Sequence, residues 1–183
     1  MRKLFLFLFF LPSFCFSQED LVTTWDDVWI NGKLKVFGIK DRKSIDSVLG
    51  KPDSIYTTGM DIMDYGPMYF ADTFVSYFNA DFEFLYGQYR VSSINFEKRQ
   101  KNVFVNFGTQ ILTSETTIDD IRKHFDVHNY LDSIEYTEML AGRLIKVRRV
   151  EYTPKVYWTD GPSWIFDFFE NKLITISFLP GGA

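Results

Sequence analysis

A chain of 183 residues with 46% hydrophobic residues is long enough to bury one sizeable core. Its net charge of −4 argues against nucleic acid or an anionic membrane surface as partner, because both select basic patches. A single cysteine, Cys15, excludes an intrachain disulfide, so packing must hold the fold.

Residues 1–17, MRKLFLFLFFLPSFCFS, have the layout of a secretory signal peptide. Arg2 and Lys3 lead an apolar run from Leu4 to Leu11, and Cys15 and Ser17 stand at −3 and −1 of a cut before Gln18. The run falls short of the about 20 residues that span a bilayer. Phe14, directly before Cys15, departs from the small residue of a lipobox, which argues against a lipoprotein. The expected destination is therefore secreted or periplasmic. Residues 18–27 read as a linker.

In "VWINGKLKVF" (28–37) Asn31-Gly32 separates two alternating runs, the strongest short-range hairpin signal. "IKDRKSIDSVLGKPD" follows, with Ile45, Val48 and Leu49 on one helix face, Asp41 or Ser44 as cap, and Gly50 and Pro52 as stop. "SIYTT", "MYF", "TFVSYF", "FEFLY" and "RVSSINFE" are strand signals, and residues 74–97 read as an antiparallel meander. "KRQKN" (98–102) has no apolar pattern and is the best internal boundary. The order then restarts: a strand in "NVFVNF", a helix in "TSETTIDDIRKHF" capped by Thr113 or Ser114, and strands in "RLIKVRRVEY", "KVYW", "WIFDFF" and "LITISFL".

Two stretches align without gaps: "SIDSVLGKPD" (44–53) with "TIDDIRKHFD" (117–126), and "FEFLYGQYRVSSINF" (82–96) with "WIFDFFENKLITISF" (164–178). The offsets of 73 and 82 place extra residues of the second copy around "TEMLAGRL" (137–144). We therefore expect an internal duplication, 28–101 and 102–183, within one structural domain.

"SIDSVLGKPD" resembles the x-x-V-x-x-x-L-G-x-P signature after the first helix of SmpA/OmlA-type outer-membrane assembly lipoproteins. The tandem order resembles the wider β-lactamase inhibitor protein-like (BLIP-like) fold. The resemblance implies an α+β fold: two tandem repeats, each a short helical segment plus an antiparallel strand meander, forming one curved sheet with helices on one face. The second copy departs from the signature at Lys123-His124-Phe125, so the architecture is carried over and the inhibitor's target is not.

Signals for chemistry are sparse. "HFDVH" sets His124 and His128 four apart, but they straddle a helix end and lack an obvious third ligand, so no metal site is assigned. "DIMD" (61–64) offers two acids on one loop rather than across a cleft. The sequence contains no G-x-S-x-G elbow, Gly-rich phosphate loop or EF-hand loop, and no cofactor is assigned.

Aromatics are the stronger signal, with 28 of 34 lying after residue 17. By period two, Phe82, Phe84 and Tyr86 share one strand face, as do Trp164, Phe166 and Phe168. Pairing across the turns adds Val91, Ser93 and Asn95, and Leu173, Thr175 and Ser177, to that face. Ile94, Phe96, Ile176 and Phe178 fall on the other face, with Glu83 and Asp167.

A face mixing aromatics with Ser, Thr and Asn fits an open protein-binding sheet. The expected function is thus non-catalytic protein recognition by a monomer, as an inhibitor, immunity-like or envelope-assembly factor, with those six aromatics as binding residues. Two alternatives stay open: a small-ligand or lipid-binding protein of the envelope, and a small hydrolase. The opposite assignment of faces also stays open, with the aromatics as core and the other face wet, as Glu83 and Asp167 would prefer.

Overall fold

The computed structural model describes residues 27–57, 73–97, 103–125, 130–140, 143–152 and 163–179. Residues 1–17, expected to be a signal peptide, and "DIMD", "MYF", "KVYW", "KRQKN" and His128 lie outside them.

The chain opens with the hairpin of β1 (Val28–Ile30) and β2 (Leu34–Lys35). Asn31 and Gly32 both hold the positive φ that a type I′ turn requires, 52° and 63°. Helix α1 (Arg42–Leu49) starts at Asp41, whose side chain accepts from the Lys43 amide, and stops at Gly50 with φ 89°. The strands β3 (Ser54–Thr57), β4 (Thr73–Tyr77), β5 (Ala80–Leu85) and β6 (Gln88–Asn95) follow.

The same order then recurs. A hairpin of β7 (Val105–Phe107) and β8 (Gln110–Leu112) leads to α2 (Ile118–His124). The strands β9 (Tyr130–Leu140), β10 (Arg143–Tyr152), β11 (Ser163–Phe169) and β12 (Lys172–Leu179) complete it. Helix α2 is capped by Thr117 rather than Thr113 or Ser114, in a reciprocal box: Thr117 Oγ1 accepts from the Asp120 amide while Asp120 accepts from the Thr117 amide.

The protein is thus mostly antiparallel β with two short helices. Its strands form two sheets, not the one curved sheet expected from the resemblance: four strands in the order β2-β1-β7-β8, and eight in the order β3-β4-β5-β6-β12-β11-β10-β9. The reason lies in the leading hairpins. They are too short to cover their own apolar residues, and Val28, Ile30, Val105 and Phe107 reach zero exposure in the same cluster that buries Phe82 and Phe166 of the large sheet.

Strands holding the same place in each half pair with one another. In the small sheet β1 meets β7 about Trp29 and Asn106, and in the large sheet β6 meets β12 about Ile94 and Ile176. The ties between layers are matched as well: the Val91 amide donates to the Val36 carbonyl and the Leu173 amide to the Thr116 carbonyl, each at 2.9 Å.

The register refines the alignments. On β6 and β12 the offset of 82 holds, since Ile94 faces Ile176. On β5 and β11 it does not. A bulge after Asp81 leaves Ser92 unpaired, and one after Asp167 leaves Ile174 unpaired, so Asp81 corresponds to Asp167 and Phe82 to Phe168. The first hairpin is simply longer beyond its bulge. Counted from the caps Asp41 and Thr117, Ile45 corresponds to Ile121 rather than Ile118.

Candidate functional site

The two bulges decide which face of the large sheet is which. An unpaired residue resets the alternation, so Val91 and Ile94 lie on the same face as Phe82, and Leu173 and Ile176 on the same face as Phe168 and Phe166. The expected division of faces, with Ile94, Phe96, Ile176 and Phe178 opposite the aromatics, is thereby corrected: all four join the core with them.

Of the six residues assigned to binding, Phe82, Trp164, Phe166 and Phe168 are buried at 0–2% exposure, Phe84 is half-buried and Tyr86 is exposed. The four buried rings cannot meet a partner, because the helices and the small sheet are packed on them. Phe107 of β7 lies edge-on to Trp164 at 5.0 Å between ring centroids. Phe125, at the end of α2, lies 5.1 Å from Phe107 and 5.6 Å from Phe166. Phe84 pairs with Tyr89 at 4.7 Å. Tyr86 occupies the left-handed region (φ 51°) at the β5–β6 turn, a costly conformation for a bulky residue.

Among the described residues the helices and the small sheet pack only on the aromatic face, which leaves the opposite face of the large sheet, and register defines it. A row of directly opposed residues runs Ser54, Ser76, Asp81, Ser93, Ser177, Ile165, Glu151 from β3 to β10. Short side chains make its middle flat: Ser93 Oγ donates to Asp81 Oδ2 at 2.9 Å and Ser92 Oγ to the Asp81 carbonyl. The adjacent row runs Tyr56, Phe74, Glu83, Arg90, with Tyr56 and Phe74 exposed and Glu83 ion-paired to Arg90.

At the other end of this face Asp167, almost fully buried, receives a bidentate guanidinium. Arg149 donates from Nε at 2.8 Å and Nη2 at 2.9 Å, and Nη2 also reaches Tyr136 Oη at 3.0 Å. The Arg149 cation lies 4.7 Å from the Tyr136 ring centroid. The Tyr136 hydroxyl donates to Glu138 at 3.2 Å, and burial and the Asp167 charge raise its pKa above the ordinary phenol value. Ile145, Val147 and Ile174 form a small second cluster beside this network, with Tyr136 and Phe169 against it.

Two concavities flank these features. A notch of about 630 Å³ lies between α1 and β3, lined by Arg42, Asp46, Lys51, Asp53 and Ile55. A larger cleft of about 1010 Å³ opens where the β4–β5 turn, the end of β6, the approach to β7, residues 113–115 and the β11–β12 turn meet. His124 is half-buried at the end of α2. Among the described residues no three His, Cys, Asp or Glu side chains are grouped to hold a metal ion, and no helix is long and apolar enough to cross a membrane.

Of the two assignments of faces that the sequence leaves open, the one with the aromatics as core fits the burial, but the sequence reading places Ser93 and Ser177 on the aromatic face and Ser54 and Ser76 on neither, because none of the four carries a motif. Only the cross-strand register assembles them. Comparison with protein-family models, with curated proteins and with solved structures gave no match.

Proposed function

We propose that the protein is a non-catalytic recognition module, secreted or periplasmic and monomeric, that binds a protein partner through the uncovered face of its eight-stranded sheet. In this reading the chain is a tandem of two BLIP-like units of the kind its element order resembles. The carrying observation is the face itself. A flat row of serines is flanked on one side by the exposed pair Tyr56 and Phe74 and on the other by the Tyr136–Arg149–Asp167 network. Tyr and Arg are the residues that most often anchor protein interfaces, and a flat polar centre with aromatic anchors is an interface composition.

The test compares the chain lacking residues 1–17 with its Tyr56→Ala/Phe74→Ala and Ser76→Arg/Ser177→Arg variants, all immobilised, as baits for envelope and secreted fractions. A protein retained by the parent should be lost by both variants while their circular dichroism is unchanged. Each captured protein is then purified and titrated against the parent and both variants. Equal binding to all three baits would remove the sheet face as the site.

A further inference from the structure

We propose that the first half of the sheet face is a socket for an arginine side chain of the protein partner, held by Asp81 and Tyr56. The inference rests on the sheet-face reading and names the chemistry that the face recognises. It follows from the duplication, because the second half shows the same socket filled. Asp167 lies opposite Arg149 on β10, and two residues back along β10 Val147 lies opposite Tyr136 on β9. Asp81, the counterpart of Asp167, lies opposite Ser76 on β4, and two residues back along β4 Phe74 lies opposite Tyr56 on β3. The acid and the tyrosine therefore recur at matching places, while Ser76 stands where the second half has Arg149. There the guanidinium gives both oxygens of Asp167 a donor and lies 4.7 Å from the Tyr136 ring centroid.

The first half has no guanidinium of its own to offer. No Lys, Arg or His lies between Lys51 and Arg90, so β3, β4, β5 and the segments joining them bring no cation. Arg90, on the adjoining β6, is ion-paired to Glu83. Asp81 receives the Ser93 hydroxyl on Oδ2 at 2.9 Å and has no ion pair among the described residues. Tyr56 is 64% and Phe74 38% exposed, so both rings are open to an incoming side chain, and the short Ser76 leaves room between them and Asp81. A guanidinium suits the place better than an ammonium, because its planar fork matches a carboxylate and its face stacks on an aromatic ring.

Two measurements test the socket, both on the full chain lacking residues 1–17. In the first, Ser76→Arg supplies the guanidinium in cis. Compared with Ser76→Met in urea titration, it should raise the folding equilibrium constant about fivefold, and Asp81→Asn should abolish that difference. No difference, or one that survives Asp81→Asn, overturns the proposal. In the second, a phage-displayed library of random peptides is selected on the parent, on Asp81→Asn and on Ser76→Arg. The parent should enrich arginine over the starting library and neither variant should. Replacing the shared arginine of a retained peptide by lysine should weaken it about tenfold.

Absence of arginine enrichment on the parent, or equal enrichment on Asp81→Asn, overturns the proposal. Lys98→Gln/Arg99→Gln/Lys101→Gln should select as the parent does; enrichment by that variant alone would assign Asp81 to the chain's own bases and overturn it as well. A captured protein that is lost with Tyr56→Ala/Phe74→Ala but indifferent to Asp81→Asn would keep the sheet face and remove the arginine, so the two readings fail separately.

Discussion

Trp164→Ala is the sharpest discriminator between an aromatic binding face and an aromatic core. Trp164 is 2% exposed, and its ring lies edge-on to Phe107 at 5.0 Å, Phe178 at 5.5 Å and Phe37 at 5.8 Å, one neighbour from each of three segments. Truncating a buried aromatic to alanine costs about 3–5 kcal/mol, and edge-to-face pairs add about 0.5–1.5 kcal/mol each where the neighbours cannot close the gap. Phe107 sits in a β7 pinned on both sides, by β1 and β8, so the space will not collapse fully and a loss of about 4 kcal/mol is expected. That is a large part of the about 5–15 kcal/mol available to a domain. With a urea m-value of about 2 kcal/mol/M the midpoint should fall by about 2 M, read by circular dichroism. Phe166 shares Phe107 with Trp164, so the double variant will not be additive, but it should still fail to fold. A soluble Trp164→Ala/Phe166→Ala protein with a cooperative transition within about 1 kcal/mol of the parent would refute the core assignment.

Two further outcomes follow from polar contacts. Arg149→Ala strands the nearly buried Asp167 carboxylate; because the guanidinium is itself about one-third exposed, the expected cost is about 2 kcal/mol rather than the full penalty of a broken buried pair, and a urea midpoint indistinguishable from the parent would reclassify the pair as a solvated surface bridge. Thr117→Ala removes half of the α2 capping box and should cost about 1 kcal/mol. Its acid dependence has a defined sign. Hydrogen bonds from the Thr117 amide and hydroxyl hold the Asp120 carboxyl below the ordinary carboxylate range, so this contribution is present at neutral pH and is lost as pH falls through the folded-state value. Denaturation followed from pH 7 to pH 3 should therefore show a smaller acid loss in the variant, and parallel curves would exclude the cap as a contributor.

Local chemistry was legible in the sequence. Asn31-Gly32 announced its turn, Asp41 and Gly50 bracketed α1, and "RLIKVRRVEY" matched β10 residue for residue. The recurrence of element order was legible because the second strands of the two late hairpins keep one spacing. The assignment of faces failed at Ser92 and Ile174, where a bulge inserts one residue and no composition signal distinguishes it from regular strand. From there onward strict period two exchanges inside for outside, which is why Ile94 and Phe96 were separated from Phe82. The small sheet was hidden for another reason. Its central pairing joins Trp29 to Asn106, and neither three-residue strand has enough pattern to name a partner. The cleft drew on five segments and left no contiguous trace.

The pairing of like strands across the two halves has a kinetic consequence. The last hairpin of each half closes through a two-residue turn, Tyr86-Gly87 and Glu170-Asn171, so β5–β6 and β11–β12 can form early at little loop cost. The joins between halves instead unite residues 77 and 82 positions apart, Trp29 with Asn106 and Ile94 with Ile176. Val28, Ile30, Val105 and Phe107 bury themselves only once both joins exist. Folding should thus be governed by the docking of two preformed hairpins, β5–β6 and β11–β12, and substitutions at the centre of that join, Ile94 and Ile176, should slow folding, whereas those in the outlying edge strand β3 should mainly speed unfolding.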